Sequence, residues 1–439
     1  MAREPIWPRR SECTEACYPF ERFGVMSYNP FHHAKQRDSI TREPLALEPI
    51  LVAGAAMDML HHGDFQLSML ESSVAYILRM INEIRESTTI PYHQTALEKQ
   101  LTFHALGCIT AVSWSTGDLV LWHKHMKLLR QHLEKSGFLL TADPHDMMKV
   151  RMADIEGAVI AGVAPSLPYS RQYPLLPCVL PVQDVLLILT KLRPPLQACN
   201  VDSDTVDSIL AVCIFISTMQ MSQEYGLEEK FDPENLMEDY DFLQRDLLTL
   251  PQPLGTNMKD TASTTWPSYD GGLSAAMKPS LAFEEAIRVT TLMCLRAANI
   301  QAPWSKATYS KLLDILVDRL RVILDWMYES KEDCAFIDPS LLHHREEGFP
   351  VNNARRFLIW ICMIGYELSV YYTVYHEGWS DHRRKSCLYL QMLGALGIHD
   401  EADIDNSDNE ELSIFDTINL NWATNNKWQA RDMLKWMIK

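Results

Sequence analysis

Glu238, Asp239 and Asp241, set around Tyr240, are the residues whose type is best suited to hold a divalent cation. Paired carboxylates on helices can present Mg²⁺ to a diphosphate, and that chemistry needs carboxylates one helical turn apart. The D-D-x-x-D spacing is absent here, and no second metal motif follows. Glu367 is a second candidate, because it stands alone in a long apolar run, where burial would raise its pKa if no partner met it. No catalytic partner for it can be named, so it reads as a hydrogen-bonded structural Glu.

The soft ligands give less. Cys13 and Cys17 form a close pair, but no second Cys/His pair stands at zinc-finger spacing. His123 and His125 fall on an expected helix, where residues i and i+2 point about 200° apart and cannot share a metal. His32-His33, His61-His62 and His343-His344 have no convergent third ligand in sequence. H-E-x-x-H, G-x-S-x-G, Walker A and G-x-G-x-x-G are all missing. The sequence therefore assigns no catalytic, cofactor-binding or metal-ligating residue.

The elements that would position such residues are helices. Leu67, Leu70, Val74, Ile77, Ile81 and Ile84 step by three and four, with Ser68 and Glu71 at capping-box spacing. Leu119, Trp122, Met126, Leu129 and Leu133 repeat the stepping. Ser115 and Asp118 precede them, and Gly137 sits where a C′ glycine ends a helix. Asp143-Pro144 is an N-cap followed by proline at N1, ahead of a face built from Met148, Met152, Ile155 and Val159. Gly157, Ala158, Ala161 and Gly162 then allow a neighbour to approach closely, which we read as tight packing rather than a ligand mouth. Asp202 and Asp204 look like a capped helix start. The clearest stripe is Leu312, Leu313, Leu316, Val317, Leu320, Ile323, Leu324 and Met327, with Asp318 and Arg321 on its wet side.

Strand signals are scarce, so the expected fold class is all-α: a large multi-helix domain in two helical halves, 45–249 and 279–439. A Pro/Ser/Thr/Gly-rich loop over about 250–279 joins them. Residues 1–44 lack periodicity and carry seven Lys/Arg against six Asp/Glu, which reads as an extended or partly disordered lead-in. Two acidic stretches, Glu224–Asp246 and Asp400–Glu411, read as solvated surface. The second runs into Leu412, Ile414 and Phe415 and also suits an activation segment.

Composition narrows the class. The 439 residues contain 40 Lys+Arg and 57 Asp+Glu, a net charge of −17, with 47% hydrophobic residues. Such a chain can bury a core, and its charge opposes a broad nucleic-acid footprint. Phe357–Tyr375 is apolar over 19 residues, yet Glu367 near its middle and five Tyr or Trp favour a buried helix over a membrane span. The N-terminus has no apolar signal core, and most of the 10 Cys lie in apolar runs. Both fit a reduced cytosolic or nuclear compartment.

Several segments, taken in order, resemble the C-terminal regulatory region of fungal-specific zinc-cluster transcription factors. Arg42 to Ala56 resembles its first helix. Trp122–Leu129 followed by Glu134–Leu140 resembles its H-x-x-x-L-x-x-L … G-G-x-x-x-L signature, with Phe138 in place of the second Gly. Arg151–Ala158 with Pro165 is similar to R-x-x-D-x-x-x-A … P, and Phe357–Gly365 to a late L-L-W-x-L-x-x-G-G helix. The resemblance covers about residues 45–439. It implies an all-α, non-enzymatic regulatory domain in the nucleus or shuttling to it. Transcription machinery or a DNA-binding protein would be its partners, with a homodimer and a small-molecule effector also allowed. The family's six-cysteine DNA-binding cluster is absent, so no direct DNA binding, cofactor or membrane contact is expected. The alternatives are a terpene-synthase-like enzyme with a metal-binding acidic pocket, and a non-catalytic scaffold.

Overall fold

The computed structural model describes residues 49, 52, 74–82, 96–115, 118–136, 144–161, 163–167, 171, 175, 178–225, 231, 233–249, 277–298, 306–334, 351–375 and 380–396. Among them, helix is the sole regular secondary structure, as the 3-4 spacing of apolar residues requires. A short helix covers 74–82. After it come α1 (Ala96–Ser115), α2 (Leu119–Ser136), α3 (Pro144–Ala161), α4 (Val182–Ala198) and α5 (Ser203–Tyr225). Then follow α6 (Pro233–Thr249), α7 (Pro279–Ala298), α8 (Lys306–Cys334), α9 (Val351–Tyr375) and α10 (Ser380–Ala395). The chain forms two compact units that interleave in sequence. Unit 1 takes 1–177, 226–245 and 299–309, and unit 2 takes the rest.

In unit 1, α1 packs on both α2 and α3, and α2 on α3. The α2 stripe lies inward: Trp122, Met126, Leu129 and Leu133 are all buried. Asp118 starts that helix, its Oδ1 accepting the Leu121 N–H at 2.9 Å, and the helix stops at Ser136, just before Gly137. α3 begins at Pro144, where a missing N–H costs nothing because the first turn has no intrahelical acceptor for it. Of the expected face, Ile155 and Val159 are buried and Met152 is half-buried, while the Met148 side chain lies outside the described set; Met147, Val150 and Ala153 are also inside. From the first stripe, Ile77 and Ile81 are buried in the 74–82 helix, while Leu67, Leu70 and Ile84 lie outside the described residues.

In unit 2, α5 packs on α4 and α7, α9 on α4 and α7, and α10 on α9. All eight apolar residues of the α8 stripe are buried, and on its wet side Arg321 Nη1 sits 3.6 Å from Asp318 Oδ1. α7 has no wet side: every residue from Ala282 to Arg296 is buried. α9 holds Phe357 to Ile364 in the core, and no described helix is long and apolar enough to cross a membrane.

α4 contains Pro194 and Pro195. Neither has an N–H, so the carbonyls of Thr190 and Lys191 lose their usual partners four residues on. The helix still ends in order. Asn200 takes φ 59°, its N–H reaches Gln197 O at 2.9 Å, and the Val201 N–H reaches Leu196 O at 3.3 Å. This is a Schellman ending, with Asn in the left-handed position that glycine usually fills. Asp202 follows as a cap: its Oδ1 accepts from Asp204 N at 2.9 Å, consistent with the capped start read from the sequence.

Candidate functional site

Two arrangements of buried polar or reactive groups stand out, one in each unit. In unit 1 the acidic run of α6 turns inward. Glu238, Asp239 and Asp241 are 2%, 8% and 1% exposed, which corrects the expectation that this stretch is solvated surface. The reason is supplied from far away in sequence. Arg151 Nη1 on α3 lies 3.4 Å from Glu238 Oε1, both nearly fully buried. Arg171 pairs with Asp239, and its guanidinium also lies 4.8 Å above the Phe242 ring. A carboxylate matched to a guanidinium in this way serves packing and leaves its oxygens committed. Among the described residues no group of three or more His, Cys, Asp or Glu could hold a metal ion, so these acids are not gathered around a cation.

Asp154 on α3 ties down the chain that follows the helix. Its carboxylate accepts from Ser166 N and Ser166 Oγ, both at 3.0 Å, and from Leu167 N at 2.8 Å. Burial pushes this carboxyl above the ordinary aspartate range, while those hydrogen bonds pull the other way.

The small residues of α3 do what close packing requires. A Cβ at Gly157 would lie 2.0 Å from Trp122 Nε1, and that indole N–H donates to Ala153 O at 3.0 Å. Ala158 and Ala161 are buried beside it, and Gly162 lies outside the described residues. The histidines of α2 divide as the helical period demands. His123 is exposed and His125 buried, its Nδ1 2.8 Å from the Ser113 hydroxyl of α1. Burial lowers the His125 pKa, against a backbone contact at Ile109 and the charge of Asp118.

In unit 2 the helices α4, α5, α7 and α9 enclose a cavity. Its void measures about 30 Å³, and its inner surface is apolar. Leu192 and Leu196 come from α4, Ile209 and Cys213 from α5, Ile287 and Thr291 from α7, and Arg356, Phe357 and Trp360 from α9. Burial raises the Cys213 thiol to about 12, and Cys199 beyond the end of α4 to about 11, with Arg356 opposing the latter. Neither is a thiolate at neutral pH, so neither is an activated nucleophile. Cys108, Cys178, Cys199, Cys213, Cys294 and Cys362 are free, and all of these but Cys178 are buried.

Two polar groups of the cavity wall are of special interest. Arg356 is half-buried, its guanidinium 5.3 Å over the Phe357 ring, and it has no carboxylate partner among the described residues. Trp360, one turn further along α9, is 5% exposed, and its Nε1 has no hydrogen-bond partner. Sequence reasoning singled out neither.

It also passed over the charged band of α7. Thr205 Oγ1 donates to Glu284 Oε1 at 2.7 Å, Arg319 Nε to Glu285 Oε2 at 2.5 Å, and Arg288 Nε to Leu247 O at 3.0 Å. Burial lowers Arg288 to about 10, so it keeps its charge at neutral pH. Three ionisable residues inside an otherwise apolar run were the available signal. Glu367 lies within α9, but its side chain falls outside the described set. The same holds for Cys13, Cys17, Asp400–Glu411 and the other His pairs.

Comparison of the chain with family models, curated proteins and solved structures found no match. What the geometry offers is paired buried charge in both units and a small apolar cavity in unit 2.

Proposed function

We propose that this chain is a regulatory module of the fungal zinc-cluster transcription-factor type, acting in transcriptional control. It works through contacts with protein partners and takes a small effector, in the nucleus or moving in and out of it. One observation carries the reading: of the segments that resemble that family, three fall on described helices and turn apolar residues such as Trp122, Ile155 and Trp360 into the core. Trp122–Leu129 lies on α2, Arg151–Ala158 on α3 and Phe357–Gly365 on α9.

The polar members of these segments have structural work. Arg151 meets Glu238, and Asp154 holds Ser166 and Leu167. Gly365 admits the Tyr389 ring, which a Cβ there would approach to 2.5 Å. Motif residues that maintain a helical scaffold fit a regulatory domain better than a catalytic one.

The test is a tethered reporter. The full chain, fused to an unrelated DNA-binding domain, is expected to change reporter output severalfold, and deletion of the gene to alter a defined set of transcripts. A fusion that stays nuclear and abundant but leaves the reporter unchanged, with an unaltered deletion transcriptome, would reject the reading.

A further inference from the structure

We infer that the unit 2 cavity is a site for a small amphipathic carboxylate, its short aliphatic tail held by α4, α5, α7 and α9 and its head group paired with Arg356. This rests on the effector arm of the regulatory reading and gives it a chemical class.

The tail end follows from the walls. The inner surface is apolar, and the groups that line it are Leu, Ile, Val, Phe and Trp side chains with the small Cys213, Thr291 and Cys294. An apolar void stays dry and favours an apolar guest, because a water inside would lack hydrogen-bond partners. The void of about 30 Å³ is small. It accepts about one methylene as it stands, and a longer tail must move Leu or Ile side chains. Affinity therefore rises with chain length at first, by about fourfold per buried methylene, and then levels off.

The head end follows from Arg356. Arg356 lines the cavity while the inner surface carries no polar atom, so its stem faces the void, and its guanidinium lies 5.3 Å over the ring of Phe357, another residue of the wall. Elsewhere in this molecule guanidiniums of comparable burial are matched: Arg171 to Asp239 and Arg319 to Glu285. Arg356 has a ring face beneath it and no carboxylate among the described residues. A cation beside an apolar void is complementary to an acid with an apolar tail, and the planar fork favours carboxylate over a point-like partner.

Calorimetric titration of the full-length protein tests this, using straight-chain monocarboxylates from butanoate to decanoate and the alcohols of equal length. Saturable one-to-one binding of the acids is expected, with the length dependence above and an advantage over the matching alcohol of about tenfold. Arg356→Gln should bring the acid down to the alcohol and leave the alcohol unchanged. Thr291→Leu, which fills the void, should weaken both. Equal binding of acid and alcohol, no saturable heat at millimolar acid, or native affinity in Arg356→Gln would each overturn the proposal. The comparison of acid with alcohol needs no variant, so it decides the matter even if a substitution impairs folding. Binding is read on the purified chain. Its failure leaves the transcriptional reading standing, and a silent reporter leaves the binding result standing.

Discussion

Glu238 in unit 1 and Arg356 in unit 2 both sit on helices that face a core, and their charges are handled differently. Glu238 is 2% exposed and meets Arg151, itself 4% exposed. Arg356 keeps partial access to solvent and rests on the Phe357 ring. The contrast follows from desolvation. A carboxylate taken wholly out of water needs an opposite charge beside it, whereas a guanidinium that retains some hydration can go without one. Glu238 and Arg151 therefore fix one arrangement, as Arg319 and Glu285 do in unit 2, whereas Arg356 is a cation left to meet something else.

The largest expected effect tests the first half of that contrast. Glu238→Ala removes the carboxylate that meets Arg151 and should cost about 3 kcal/mol, read as a fall in the urea midpoint. The joint replacement Arg151→Met with Glu238→Met should be milder than either single change, because both desolvated charges leave together. If the single change costs nothing, the pair is not holding unit 1.

A smaller effect concerns His125. Burial depresses its folded pKa below the ordinary 6.5, so the unfolded chain takes up the proton first. Its contribution is thus present above pH 6.5 and lost as pH falls through the depressed value. Thermal melts between neutral pH and about pH 5 should show this loss, and His125→Gln should flatten the slope. An unchanged slope in the variant would assign the acid sensitivity to another group.

The smallest effect belongs to Arg356. With no ion pair to lose, Arg356→Gln should shift stability by no more than about 0.5 kcal/mol. A loss as large as that of Glu238→Ala would erase the distinction between the two residues and make Arg356 a structural ion.

The helices were legible wherever one side of an element faces water. The α8 stripe, the Asp202 cap and the α2 start at Asp118 follow from local spacing alone, and local spacing is what a sequence displays. α7 was harder, because a helix buried all round has no apolar stripe to betray its period. The inward turn of Glu238–Asp241 was not legible either. Arg151 stands 87 residues away from Glu238, and nothing in an acidic run tells whether a distant base will cover it. The cavity escaped for a related reason. Its walls are drawn from four helices, and Arg356 looks in sequence like any charged residue at the start of an apolar segment.

Pro194 and Pro195 leave a mark on the wall that Leu192 and Leu196 contribute to the cavity. Two successive rungs of the α4 ladder are missing there, so this stretch can bow without breaking a bond that exists in the straight helix. The compliant side of the cavity is thus written into the backbone. A guest larger than the resting void would be admitted by flexing α4, while α7, enclosed on every side, stays put as the anvil.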